Sequence, residues 1–198
     1  MRRKSLNHVR YGHGTVSIKG AVYVFGGFAH RDAPGEAPRT ISLCEKLSQS
    51  NASWDMVASM NKARAFAGAC VLEQQYIYAF GGLNDFEMLM TIEKYDSITD
   101  TWITLHYKLP YPLTNHAAVA TDKRNILIMG GMSTDYDPVA SVINLDIQTA
   151  KFTKKAPMKQ PKLMDGGVYM AKDASVFVIF KNQGADFKSE RYVIRDLL

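Results

Sequence analysis

The chain has 198 residues, 46% of them hydrophobic and 22% charged, with a net charge of +5 and an isoelectric point near 9.1. That is enough apolar material for a substantial core, in a composition ordinary for soluble domains, and no apolar stretch approaches the ~20 residues needed to cross a bilayer. The opening MRRKSLNHVR is basic, but no apolar segment of signal-peptide length comes after it, so a cytoplasmic setting without a membrane is expected.

In chain order, the first element is the apolar run Val22-Tyr23-Val24-Phe25, which stops on Gly26-Gly27. A loop rich in Pro, Gly and charge comes next, then Leu47, a run of polar turn formers, and Trp54 seven positions after Leu47. Met60 and then Arg64 close this first stretch. The pattern then repeats: Ile77-Tyr78-Ala79-Phe80 ends on Gly81-Gly82, and Tyr95 is followed after a polar turn by Trp102. It repeats again with Ile126-Leu127-Ile128-Met129 before Gly130-Gly131, then Leu145 and Phe152, then Met158 and Lys162. The doublets stand 55 and then 49 residues apart. A fourth run, Val176-Phe177-Val178-Ile179-Phe180, ends on Lys181-Asn182 where a glycine pair would stand. A third landmark precedes each run: Arg10-Tyr11-Gly12-His13, Arg64-Ala65-Phe66-Ala67 and Leu113-Thr114-Asn115-His116.

A period near 50 residues marks a repeat architecture. With three doublets in phase with a Tyr/Leu-to-Trp/Phe pair, the sequence resembles the kelch-repeat family from about residue 10 to its end. The resemblance implies an all-β kelch-type β-propeller of about four blades, each a four-stranded antiparallel sheet, with the last blade incomplete. The units are expected over residues 10–64, 65–113 and 114–162, with a partial fourth over 163–198. The basic segment 1–9 is a possible outer closing strand. In the second unit the strands are expected at Gly68–Leu72, Tyr76–Phe80, Met90–Tyr95 and Thr101–Leu105, the third alternating polar and apolar. The first two are apolar almost throughout, as strands covered on both faces should be. Kelch propellers resemble closed rings of usually six or seven blades, so three closures stand open: a longer propeller, a small ring closed by residues 1–9, or completion by a partner chain.

The glycines read as turns at which a Cβ would clash with a neighbouring strand. A phosphate cradle would need a helix to open after them. The residues after each doublet are instead loop-like: FAHRDAPGEAPR, LNDFEML and MSTDYDP. Gly26, Gly27, Trp54, Gly81, Gly82, Tyr95, Trp102, Gly130, Gly131 and Phe152 are therefore assigned to structure. No cofactor and no metal site is expected, because no His-x-His, CxxC or HExxH spacing occurs among the five histidines and two cysteines. His13 and His116 share a repeat position and read as structural, hydrogen-bonding at a strand start. Cys44 and Cys70 lie in strands and read as small buried hydrophobes. Lys151, Lys154, Lys155, Lys159 and Lys162 lack interleaved aromatics between Lys154 and Lys162, which disfavours nucleic acid. They read as solvated edge charge that discourages sheet-to-sheet pairing.

Some kelch-fold proteins are enzymes, among them copper oxidases and iron-dependent specifier proteins. No Tyr–Cys pair stands out here, and the carboxylate–His set of the iron sites finds no residue-by-residue match. The expected function is thus a non-catalytic protein-interaction module or scaffold subunit, with a metal-dependent kelch enzyme or a structural subunit of a larger assembly as alternatives. Contacts to a protein or peptide partner are expected in the loops after the doublets, at Arg31, Asp32, Glu36, Arg39, Asn84, Asp85, Phe86, Asp135, Tyr136 and Asp137, since rigid scaffolds carry function on their loops.

Overall fold

The computed structural model describes residues 5–29, 37–50, 53–161 and 163, together with the backbone of three further strands. The strands are β1 (Arg10–Tyr11), β2 (Gly14–Ile18), β3 (Ala21–Phe25), β4 (Phe28–Ala29), β5 (Arg39–Thr40), β6 (Cys44–Leu47), β7 (Asp55–Val57), β8 (Gly68–Leu72) and β9 (Tyr76–Phe80). They continue with β10 (Thr91–Asp96), β11 (Thr101–Lys108), β12 (Ala117–Ala120), β13 (Asn125–Met129), β14 (Val142–Asp146), β15 (Lys151–Lys155), β16 (Val168–Met170), β17 (Ser175–Lys181) and β18 (Phe187–Val193). No helix occurs among the described residues. Three antiparallel sheets have four strands each, β2-β3-β6-β7, β8-β9-β10-β11 and β12-β13-β14-β15, and β16-β17-β18 makes a three-stranded fourth. This is the meander of propeller blades, with the last blade one strand short among the described residues.

Local chemistry explains the meander. Lys19-Gly20, the two-residue turn between β2 and β3, holds left-handed φ at both positions, as twisted strands require, and Glu73-Gln74 do so in the three-residue turn between β8 and β9. Between third and fourth strands an aspartate closes the turn with its own carboxylate. Asp96 accepts from the Ile98 N–H at 2.9 Å, and Asp146 from the Gln148 and Thr149 N–H groups at 3.0 and 3.2 Å.

The core lies between sheets. Tyr23 and Phe25 of the first meet Ile77, Ala79, Tyr95 and Trp102 of the second, while Tyr78, Phe80 and Ile92 meet Ile126, Ile128 and Leu145 of the third. Alternate residues of β9 thus serve two different interfaces, which is why no polar position interrupts it. The innermost strands β2, β8, β12 and β16 stand side by side in that order. Among the described residues no comparable contact joins β16 back to β2, so the four sheets form an arc.

The third strand of the second sheet runs Thr91–Asp96, one residue later than the sequence suggests at each end, and the fourth extends to Lys108. Its alternation also fails at one place: Glu93 is fully buried. Tertiary structure overrides the pattern because Arg64 is buried beside it. The Arg64 guanidinium donates to Glu93 Oε1 at 2.5 Å and to the carbonyls of Gly81 and Thr91, and Glu93 also accepts the N–H groups of Asn61 and Lys62. The first sheet repeats this arrangement. Arg10 donates to Glu45 at 2.6 Å and to the carbonyls of Gly26 and Leu43, and Glu45 accepts the N–H groups of Asn7 and His8. Residues 5–9 therefore form a turn against Glu45 and contain no strand.

Candidate functional site

Each glycine doublet turns the chain out of the second strand of its sheet. Gly27 and Gly82 have φ of 96° and 94°, and a Cβ on either would lie 2.7 Å from a backbone carbonyl oxygen, of Tyr11 and Ala65 respectively. Only glycine suits that combination of left-handed backbone and close approach. The chain then folds back as a short hairpin against the segment entering its own sheet. In the first unit this gives the small sheet β1-β4-β5, and in the next two the bridges Ala65–Leu83–Met88 and Thr114–Met132–Pro138. Hydrogen bonds tie the hairpins to neighbouring units, Gly27 N–H donating to Arg64 O and Gly82 N–H to Leu113 O, both at 2.8 Å. The three loops consequently share one face.

At the inner border of that face lies an aromatic cluster. Tyr11 and Phe28 are cross-strand partners with rings stacked at 5.4 Å, and Phe66 of the next unit sits 6.0 Å from Phe28 and 6.5 Å from Tyr11. Phe66 holds φ at 53°, as do the equivalent Gly12 (65°) and Asn115 (50°). A bulky residue there is strained. Phe66 is held by its N–H donating to Gly12 O at 2.7 Å, while its carbonyl accepts from the Asn115 N–H at 2.9 Å. Its ring occupies the space that a Gly12 side chain would need, Cε1 lying 2.7 Å from that Cβ position.

The sequence-derived candidates fall into three groups. Arg31, Asp32 and Glu36 lie outside the described residues. Asn84, half-buried, and Asp85, exposed, are both hydrogen-bonded within the chain. Asn84 Nδ2 donates to Ala63 O at 2.9 Å, and Asp85 Oδ1 accepts from the Thr40 N–H at 2.7 Å and the Thr40 hydroxyl at 2.9 Å. Asp85 thereby clips the first loop to the second. Arg39, Phe86, Asp135, Tyr136 and Asp137 are exposed, Phe86 to 88% and Tyr136 to 70%. Sequence reasoning did not single out Tyr11, Phe28 and Phe66, which the structure brings together. The signal was present: Phe66 stands where the other units carry Gly12 and Asn115, and Phe28 comes directly after a doublet.

Beneath the loops, β2, β8 and β12 line a cavity of about 1010 Å³ that includes Ser17, Cys70, Gln74 and both His13 and His116. His116 is fully enclosed, its ring filling the space beside Gly68, and burial holds its pKa down at about 3, with the Arg64 charge acting in the same direction. Neither of its ring nitrogens has a hydrogen-bond partner among the described residues, which corrects the expectation for His116, whereas His13 does hydrogen-bond to the Arg10 backbone. His13 is half-buried, and burial followed by the Arg10 charge lowers its pKa too. The imidazoles are therefore neutral groups at physiological pH. Cys44 and Cys70 are buried free thiols, as the strand pattern suggested. Burial pushes Cys44 up to about 12 and Cys70 upward as well, so neither is a ready nucleophile.

The sequence profile of the KLHDC2/KLHL20/DRC7 Kelch-repeats domain matches residues 3–184. Among curated proteins, the chain is 32% identical to Spermatocyte protein spe-26 of Caenorhabditis elegans over 117 residues, 59% of this chain and 20% of that protein. It is 30% identical to Kelch-like protein 38 of Rattus norvegicus over 131 residues, covering 65% and 21% of the two chains. With Beta-scruin of Limulus polyphemus the identity is 26% over 157 residues, 76% of this chain and 17% of that one. The chain thus spans about a fifth of the length of these curated relatives.

Proposed function

This chain belongs to the kelch-repeat family, and on that premise we propose that it is a non-catalytic recognition module that holds a protein or peptide partner on its loop face. The observation that carries this reading is the grouping of aromatic side chains there. Tyr11, Phe28 and Phe66 form one cluster, and Phe86 and Tyr136 stand in solvent on the adjoining loops. A few anchor residues, Tyr and Trp prominent among them, carry most of the binding energy at interfaces. The strained backbone of Phe66 fits the same reading, since strain of this kind collects at functional sites. Arg39, Asp135 and Asp137 supply rim charges suited to orienting a partner. A cytoplasmic setting accords with two buried, unpaired thiols.

The test replaces Tyr11, Phe86 and Tyr136 together by alanine and compares affinity capture from lysate with that of the unaltered chain. At least one specific partner should fall in yield by about tenfold or more, with the melting temperature little changed. Recovery of the same proteins at the same yield would remove the loop face from consideration.

A further inference from the structure

The outer strand of the third sheet, β15, is hydrogen-bonded to β14 alone among the described residues, so its other edge presents a row of backbone N–H and C=O groups. Its sequence is KFTKK, with Lys151 and Lys154 exposed. Across the β14 pairing, Lys154 stands opposite Ile143, which carries no charge to answer it. Lys151 stands opposite Asp146, but Asp146 is already paired with Arg124.

Protection of a sheet edge against aggregation would put such lysines elsewhere. The outer strand most in need of it is β11, eight residues long with Ile103 exposed to 52%, yet its single lysine is the terminal Lys108. The outer strand of the first sheet, β7, reads DMV and has none. Basic charge is thus concentrated on one edge of three, and a short one. Successive side chains of a strand point to opposite faces, so Lys154 lies on the other face from Lys151. Phe152 packs against Tyr107 at 6.4 Å between ring centroids. It is not free to stack on a nucleobase, as single-stranded nucleic acid would require.

We propose that the edge of β15 binds an acidic, extended protein segment as an added strand, backbone pairing supplying the docking and the lysines on both faces selecting for carboxylates. Strand addition to an open edge is an established mode of peptide recognition, and opposite charges on neighbouring strands favour the pairing. This surface is separate from the loop face, and either reading can fail without the other.

The test uses the whole chain and a fluorescent peptide of about eight residues rich in Glu, Thr and Val, read by anisotropy. Saturable binding is expected, weakened about tenfold or more in the K151E/K154E variant and on raising NaCl from about 50 to about 500 mM. Methylating alternate peptide nitrogens should weaken it comparably, because a strand needs those donors. Equal binding by the variant, indifference to N-methylation, or equally tight binding of oligothymidine or phosphatidylserine vesicles would overturn the proposal. If the variant fails to give the parent's circular dichroism melt, the N-methylated peptide and one with Lys in place of Glu decide the matter on the unaltered chain.

Discussion

The first two sheets and the third solve one packing problem in opposite ways. Where the chain enters the first and second sheets, a buried arginine meets a buried glutamate, Arg10 with Glu45 and Arg64 with Glu93. In the third sheet the corresponding positions hold Leu113 and Ile143, both buried. The correspondence is secured by register: Glu45, Glu93 and Ile143 lie opposite Val24, Ala79 and Ile128, each two residues before a doublet. A third position changes with them. Asn7 and Asn61 donate their N–H to the glutamate, and the third unit has Pro110 there, which has no N–H to donate. Replacing charge, counter-charge and donor together removes the desolvation cost along with the attraction. Removing any one of them strands the others. Polar and apolar versions of the junction are each self-consistent, and mixtures are not.

The largest expected effect comes from mixing them. Arg64→Leu alone should cost about 3–5 kcal/mol in urea denaturation, because Glu93 is left charged and enclosed. The triple change Asn61→Pro, Arg64→Leu and Glu93→Ile copies the third unit and should cost much less than the single one. Additive losses across the three would break the comparison.

A smaller effect is expected from His116, a buried polar residue of the third unit. Its folded pKa of about 3 lies below the ordinary 6.5. Below pH 6.5 the unfolded chain binds a proton that the folded chain does not, so stability falls as pH drops from about 6.5 towards about 3. At pH 5 this amounts to about 2 kcal/mol, and His116→Asn should flatten that part of the stability–pH profile. An unchanged slope would show that the ring is not enclosed as described.

The smallest effect concerns the loops. Asp85 ties the first loop to the second through Thr40, whereas at the tip of the third loop Ser133 N–H donates to Asp137 O and Tyr136 N–H to Ser133 O. Asp85→Ala should cost about 1 kcal/mol and speed amide exchange at Thr40, while Tyr136→Ala should stay within about 0.5 kcal/mol. Unaltered exchange at Thr40 would show that the clip does not restrain the loop.

Much of the fold was legible because a repeat states its pattern several times. The glycine doublets and the aspartate-closed turns at Asp96 and Asp146 are local features, set by residues close together in the chain. The candidate site was legible only in part. Phe86, Tyr136, Asn84 and Asp85 all stand on the loops, but Asn84 and Asp85 are in addition hydrogen-bonded to Ala63 and Thr40. Loop composition alone does not distinguish a side chain that faces solvent from one that bonds across to a neighbouring unit.

By itself, then, the sequence determined the repeat, its all-β character and the places where the chain must turn, because each depends on φ preferences and period-two alternation within a few residues. Tertiary structure decided the burial of Glu93 with Arg64, the enclosure of His116 over Gly68, and the meeting of Tyr11, Phe28 and Phe66. Each of these joins residues from different strands or different units. The partners are set by how the sheets stack, and the energy of a buried charge or ring depends on its partner rather than on its neighbours in the chain.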